Sequence, residues 1–487
     1  MDIDKKFTFR TASFILAILS VAMVPVLLWA AWDGEFRAFR GILLSWILVA
    51  ACAFLGIRFT KRHKGHVTNG ESYFVVLIAW LTLIGGGTLP YILSGEGFSP
   101  VDSIFESAAA YCTCGAWVIP LDHLPRALVL WRAISCWIGG LGITMIAVIA
   151  ISAFGSNGKK LMNAELTGPD IDESRGKAKD TARLIALVYT AFTILEFLLL
   201  RLGGLPGFEA IINTMTSIST AGALDYQGAI SHYFTPYIKV VLMAFSVLAS
   251  FNFLFFVDRI KKRKNNPLIV NEIRVFLLLI ALSALAVAVF LRISGVGENL
   301  FRNLIDAFGA SISFASTSGY PIERISAWPP IARTVTILLM AVGGCAHSTS
   351  GGLKVIRFIV FFKLIERGMY KRIHQNAVKP VMIKKKVLSS QAVTSISTFI
   401  LLYVSLYLVF LLLLSLENMD METTLTAPLA LLSNCGVGLG SIENACYSGF
   451  SVFGKLVSIL ALLTGRLEMF PILVLCSPHF WRKEKKF

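Results

Sequence analysis

Charge is scarce in this chain. Asp, Glu, Lys and Arg make up 15% of its 487 residues, with only 29 of them acidic, whereas 56% of residues are hydrophobic. With a mean hydropathy of +0.72, that balance excludes an ordinary soluble domain and leaves a polytopic, all-α membrane protein. Long polar segments are also missing. The longest, 155–183, is mixed in charge and broken by Gly155, Gly158, Gly168 and Pro169, so it serves as a linker or docking surface, and regulation by a nucleotide must come mostly from another chain. No P-loop, zinc-ligand cluster or nucleophile–base pair is present, and no enzyme is expected. The eight cysteines (52, 112, 114, 136, 345, 435, 446, 476) show no C-x-x-C spacing and are expected to be free thiols. A net charge of +16 does not imply nucleic acid, because the basic residues sit in short runs between apolar stretches.

Those stretches set the architecture. Eight reach spanning length: 14–32, 41–58, 73–93, 129–153, 184–201, 236–257, 275–293 and 392–416. The first follows Lys5, Lys6 and Arg10 as a signal peptide would, but it is too long for one and other spans follow it directly, so it is a retained helix. Two further spans, 327–363 and 451–476, are interrupted by Gly or polar residues, which brings the crossings to ten. Between spans lie four half-length apolar stretches near 101–112, 206–219, 300–316 and 422–434. Their length predicts re-entrant segments.

Charge placement supports this count. With the N-terminus in the cytoplasm, every basic cluster falls inside: Lys61 to Lys64, 155–183, Arg259 to Lys264, 363–386, and Arg482 to Lys486 in the tail. Both termini are then cytoplasmic. The outer loops carry Glu96, Asp102, Glu106, Asp122, Glu209, Asp225, Asp306, Glu323, Asp420, Glu422 and Glu443. These are either an acidic vestibule that concentrates cations or simply solvated surface.

Each half-length stretch ends in a similar triplet: Thr113-Cys114-Gly115, Thr220-Ala221-Gly222, Thr317-Ser318-Gly319 and Asn434-Cys435-Gly436. The glycines are 107, 97 and 117 residues apart. One small-x-Gly triplet is an ordinary helix-packing device. Four in the same long–short–long context suggest irregular backbone held at membrane depth, which survives only when buried in protein or lining a cavity. Around one axis they would form a ring of carbonyl oxygens able to replace the water around a monovalent cation.

Three further stretches carry a resemblance: 131–143 with Trp131, Arg132, Gly139 and Gly140; 343–354 with Gly343, Gly344, Gly351, Gly352 and Lys354; and Gly465-Arg466-Leu467-Glu468-Met469-Phe470-Pro471. Together with the triplets, and along nearly the whole chain, they resemble the TrkH branch of the Trk/Ktr/HKT potassium-transporter superfamily. The resemblance implies four pseudo-symmetric helix–pore loop–helix repeats around a central pore, behind an added N-terminal helix pair. The corresponding divisions are 1–65 for the pair, then 66–180, 181–265, 266–385 and 386–487. It further implies a homodimer in the bacterial inner membrane, a cytosolic nucleotide-binding ring of the TrkA type, and K+ (with Rb+ and Na+ as the other candidate ions) held by the twelve triplet residues. Glycine at all four final positions favours potassium, since plant relatives with serine at the first prefer sodium. The sequence departs from the family at the first triplet, which lacks a threonine run, and at Val437, where proline is typical.

The glycines and hydroxyls of 343–352 cannot sustain a helix, because each interior Gly costs about 1 kcal/mol relative to Ala. By resemblance this is an intramembrane gating loop: Gly343, Gly344, His347, Ser348, Thr349, Gly351 and Gly352. His347 either stiffens the loop, lends it pH sensitivity or is simply hydrogen-bonded. Arg466, near the middle of the last span, must face the interior or water. The resemblance makes it a positive barrier beneath the filter, and pairing with loop carbonyls is compatible with that. Glu468 lies on another face and is not its natural partner. The function these features imply is potassium uptake driven by the membrane potential. The alternatives are a carrier coupling K+ to H+ or Na+, with Glu196 as the main intramembrane carboxylate, and a non-conducting sensor.

Overall fold

A computed structural model describes residues 5–60, 69–142, 178–222, 235–264, 266–296, 299–320, 325–377, 379–384 and 386–481. The basic runs 61–64 and 482–486 and most of the 155–183 linker lie outside them. Helices α1 (Lys5–Trp32) and α2 (Phe36–Phe59) form an antiparallel pair packed on α3 (Asn69–Leu93). Four units of one plan follow, each a long helix, a short helix, an irregular strip and a further helix.

The first unit is α3, α4 (Pro100–Tyr111) and α5 (Arg126–Leu141); the second is α6 (Ala178–Leu202), α7 (Gly207–Ile218), α8 (Pro236–Ala249) and α9 (Phe253–Ile260). The third is α10 (Pro267–Ile293), α11 (Leu300–Ala315), α12 (Pro330–Val342) and α13 (Val355–Ile373). The fourth is α14 (Ser390–Leu414), α15 (Met421–Leu432), α16 (Val452–Arg466) and α17 (Phe470–Cys476). A two-stranded hairpin, Met382–Ile383 with Lys386–Val387, precedes α14.

Among the described residues six helices are long and apolar enough to cross a bilayer, and eight spans result if each bent pair counts once. The remaining two of the ten expected crossings are α5, whose continuation lies outside the described residues, and the interrupted α12–α13 pair. Large apolar side chains such as Val21, Leu28, Phe54, Leu198, Leu282 and Leu412 stand exposed along the long helices. A soluble protein would bury such a surface; here it is the face offered to lipid.

Of the spans expected to be continuous, one ends its described part at a capping glycine and another is broken. Helix α5 stops at Gly142, which has φ of 66°. The 236–257 run breaks at 250–252 and turns by 82° between α8 and α9. Asn252 caps the new start by accepting from the Leu254 amide at 3.1 Å, and the freed helix-end carbonyls are taken up by another segment, described below. The last span also bends, by 113° between α16 and α17.

The four short helices begin and end within two residues of the expected half-length stretches. Ser99, Asn299 and Asp420 cap three of them with side-chain oxygens. At 12 to 16 residues they reach only about 18–24 Å, short of a hydrocarbon core of about 30 Å. Their C-terminal ends therefore stop inside the protein.

Candidate functional site: four converging strips and the loop beneath them

Each short helix closes in the same way. The amides of Thr113 and Cys114 donate to Ala110 and Ala109 at 3.0 and 2.9 Å. Thr220 and Ala221 donate to Ser217 and Thr216, Thr317 and Ser318 to Phe314 and Ser313, and Asn434 and Cys435 to Leu431 and Ala430, all at 2.8–3.2 Å. This is the Schellman closure, whose left-handed position normally carries glycine. Here it carries Thr113, Thr220, Thr317 and Asn434, with φ of 53°, 55°, 55° and 54°. Left-handed backbone costs an L-residue about 1–2 kcal/mol, and strain of this kind gathers at functional sites.

The closures bring the triplets together. A Cβ on Gly115 would lie 3.3 Å from the carbonyl oxygens of Ala221 and Cys435 and 3.9 Å from that of Ser318. The middle carbonyls of three strips thus meet the glycine of the fourth. The other glycines complete a ring. A Cβ on Gly222 would be 2.7 Å from the Ser318 oxygen, one on Gly319 would be 2.7 Å from the Cys435 oxygen, and one on Gly436 would be 2.9 Å from the Cys114 sulfur. No side chain fits in this ring, which is why glycine recurs.

All eight cysteines are unbridged, and the thiols of Cys114 and Cys435 are fully buried, packed against neighbouring strips. Val437, the departure in the fourth strip, places a methyl 3.0 Å from the same Gly319 position. The Tyr447 hydroxyl donates to the Gly436 carbonyl at 3.0 Å.

Below the strips, residues 343–354 form the expected irregular loop between α12 and α13. Gly343 starts it with φ of 71°, and His347 is half-buried with φ of 54°. The Gly351 amide donates to Thr317 Oγ1 at 2.7 Å, and a Cβ on Gly351 would land on the Ser433 carbonyl. The loop therefore touches the third strip and the end of α15 at once.

Several contacts hold it from behind. The amides of Cys345 and Thr349 donate to Ser250 and Ala249 at 3.0 and 3.3 Å, and His347 accepts from Phe253 at 3.2 Å. These carbonyls exist because α8 ends there, so the loop and the α8–α9 break explain each other. Glu272 accepts from Ala346 and Ile356 at 2.7 and 3.2 Å. Within the loop Gly344 accepts from Val355 at 3.0 Å, Ser348 bonds Ser350 at 2.7 Å, and the buried Lys354 ammonium donates to Ser350 O. Gly352 packs on Gly343.

Arg466 reaches the loop from α16, donating to Thr349 O at 3.0 Å and to Gly139 O of α5 at 2.5 Å. Glu468 is not its partner but pairs with Arg357 at 2.5 Å.

One expectation fails. Glu106 is not an outer-loop carboxylate: it is fully buried in α4 and ion-paired with the buried Arg132 of α5. Its Oε1 accepts from the Val118 and Ile119 amides at 2.7 and 2.8 Å. The pattern offered a clue, since each of the two opposite charges interrupts an apolar run of the same repeat. Asp102, Glu422 and Glu443 are also engaged, with Lys455, Arg333 and the Ser326 amide respectively.

Comparison with known proteins agrees with this architecture. The TrkH family model, described as a cation transport protein, matches residues 40–483. The Trk system potassium uptake protein TrkH of Salmonella typhimurium is 28% identical over 459 residues, 93% of each chain. TrkH of Halomonas elongata is 29% identical over 480 residues, 97% of this chain and 98% of its own. The crystal structure of the potassium transporter TrkH from Vibrio parahaemolyticus superposes with a TM-score of 0.88 at 25% identity, covering 98% of this chain and all of that one. The chain belongs to the TrkH family of cation transport proteins.

Proposed function

We propose that this chain takes up potassium across the bacterial inner membrane, with the four strips as the selectivity filter and the 343–354 loop with Arg466 as its gate. The observation that carries this reading is the convergence of the Ala221, Ser318 and Cys435 carbonyl oxygens on Gly115. Such oxygens can replace the hydration shell of a monovalent cation, and the C-terminal ends of α4, α7, α11 and α15 add negative potential there. A membrane potential of 100 mV contributes about 2.3 kcal/mol per charge, which corresponds to about fortyfold accumulation without ATP. The family resemblance adds both termini inside, a homodimer with one pore per protomer, and a cytosolic nucleotide-binding ring acting on the gate. Each of the four units then supplies a quarter of the pore.

The test is rubidium uptake into liposomes holding the purified protein, under an imposed potential, with sodium as competitor. Potential-driven uptake that sodium fails to compete away is expected. Absence of uptake, both alone and with the cytosolic ring added, would overturn the reading and leave a non-conducting sensor. A coupled carrier has one supporting observation: Glu196 is fully buried in α6, and its carboxylate oxygens have no hydrogen-bond partner among the described residues. In that case an inward proton gradient would drive rubidium entry even at zero potential, which an uncoupled pore would not do.

Thr317→Val tests the gate. Valine keeps the branched shape at the same left-handed position but removes the oxygen that accepts from Gly351. The closed loop then holds a buried, unsatisfied donor at a cost of about 1–3 kcal/mol. Uptake is expected to rise about tenfold; uptake at or below wild type would show that this bond does not keep the gate shut.

A further inference from the structure

We infer that the buried Glu106–Arg132 pair is a specificity-determining strut: it fixes the first strip, and through it the fourth, so that the carbonyl ring cannot shrink around a smaller ion. The inference rests on the filter reading above and goes beyond it by dividing the ring into unlike halves.

The side chains of Glu106 and Arg132 are 0% and 1% exposed and form an ion pair. Apart from that pairing, their hydrogen bonds end on backbone just beyond Gly115. Arg132 Nη2 donates to Ala116 O at 2.7 Å, and Glu106 Oε1 accepts from the Val118 and Ile119 amides at 2.7 and 2.8 Å. One carboxylate and one guanidinium thus clamp a donor and an acceptor surface of the same segment, as a planar fork does well.

That segment is stitched in turn to the fourth strip. Gly115 donates to Cys435 O at 3.3 Å, Trp117 donates to Ala445 O at 2.9 Å, and Tyr447 donates to Trp117 O at 2.8 Å. The indole of Trp117 adds a bond to Asn444 O at 3.0 Å, and the Tyr447 hydroxyl ends the chain of contacts on the Gly436 carbonyl. Position is therefore passed from the ion pair through 116–119 and 445–447 to a carbonyl of the ring.

The third strip is held differently. Its Thr317 is bonded to the gating loop, and its local support is hydroxyl contacts, Ser316 with Ser318 at 2.8 Å and Ser313 with Tyr320 O at 3.2 Å. Backbone bonds tie strip four to strip one, whereas strip three bonds the loop through Thr317; the loop meets the fourth strip by packing of Gly351 against Ser433 and Asn434 and not by a hydrogen bond from Gly351. A ring discriminates by ionic size only as far as some of its carbonyls resist displacement, and the strut supplies that resistance.

The test compares rubidium and sodium uptake in liposomes for wild type, Glu106→Gln, the double variant Glu106→Leu/Arg132→Met, and Cys52→Ser on the exposed face of α2 as control. Thermal unfolding confirms that each is folded. The double variant matters because replacing a buried ion pair by apolar groups commonly preserves stability, which separates folding from positioning. The expected result is conduction with the rubidium-to-sodium ratio lowered about tenfold or more in both variants. Arg132→Lys, which keeps the charge but not the fork, should retain part of the ratio. A ratio within about twofold of wild type in both variants overturns the strut. If the double variant does not fold, the ratio of Glu106→Gln decides alone. A wild type that does not discriminate overturns the filter reading itself, and the strut with it.

Discussion

Gly319→Ser will lose most of its preference for rubidium over sodium and much of its uptake. Gly319 has φ of 64°, and a Cβ there would sit 2.7 Å from the Cys435 carbonyl and 3.0 Å from a Val437 methyl. Left-handed backbone costs the new residue about 1–2 kcal/mol, and the overpacked strip adds about 1–3 kcal/mol. The obstacle is a backbone oxygen, so the strain is relieved only by moving Cys435, one of the ring carbonyls. A displaced ring should lower the rubidium-to-sodium ratio at least about tenfold, with a larger fall in total uptake. Gly97→Ser is the matched control: Gly97 has φ of 78° but nothing within 4 Å of its Cβ position. It carries the backbone penalty without the collision and should transport like wild type. Equal effects of the two substitutions would show that strain, not the ring, is responsible.

Arg466→Gln should raise uptake strongly. The guanidinium lies under the strips, bonded to Thr349 O of the loop and Gly139 O of α5. At about 6 Å and an effective dielectric of about 20, a positive charge opposes a passing cation by about 3 kcal/mol. Removing it would speed passage by about a hundredfold if that barrier limits the rate. Losing the bond to Thr349 also loosens the loop, so both consequences act in the same direction. Arg466→Lys keeps the charge but cannot span both carbonyls in one fork, and it should fall between wild type and Gln. Uptake by the Gln variant equal to or below wild type would remove Arg466 from the gate.

Much of this arrangement was legible in the sequence because its signals are local. The half-length stretches 101–112 and 422–434 became α4 and α15 within two residues, since apolar length and a capping residue suffice to define a short helix. The four triplets, three Thr-x-Gly and one Asn-Cys-Gly, were visible because the same backbone problem is solved four times. What escaped notice depends on partners distant in sequence. The 250–252 break lies in an apolar run whose only local sign is Asn252, and its cause is a loop about a hundred residues further on. Glu106 looked like one of many outer carboxylates, because its one clue, the charge of Arg132 in an apolar run, lies in the next helix and not beside it. Arg466 was recognised as anomalous and its pairing with a loop carbonyl was foreseen, as Thr349 O shows, but the Gly139 carbonyl of α5 left no trace in side-chain identity.

Helix α13 begins at Val355, immediately after Lys354, whose ammonium holds the Ser350 carbonyl inside the loop. Its 19 residues make a rigid rod of about 28 Å, and its far end is exposed and basic, with Lys371 and Arg372 in the last turn. Rod and loop have the geometry of a lever pinned beside Glu272, which accepts from the amides of Ala346 and Ile356 on either side of the break. A tilt of about 10° at the fulcrum sweeps the distal end through about 5 Å while the loop shifts by far less. On this geometry a long, weak displacement of the distal end corresponds to a short, more forceful one at the loop beneath the four strips.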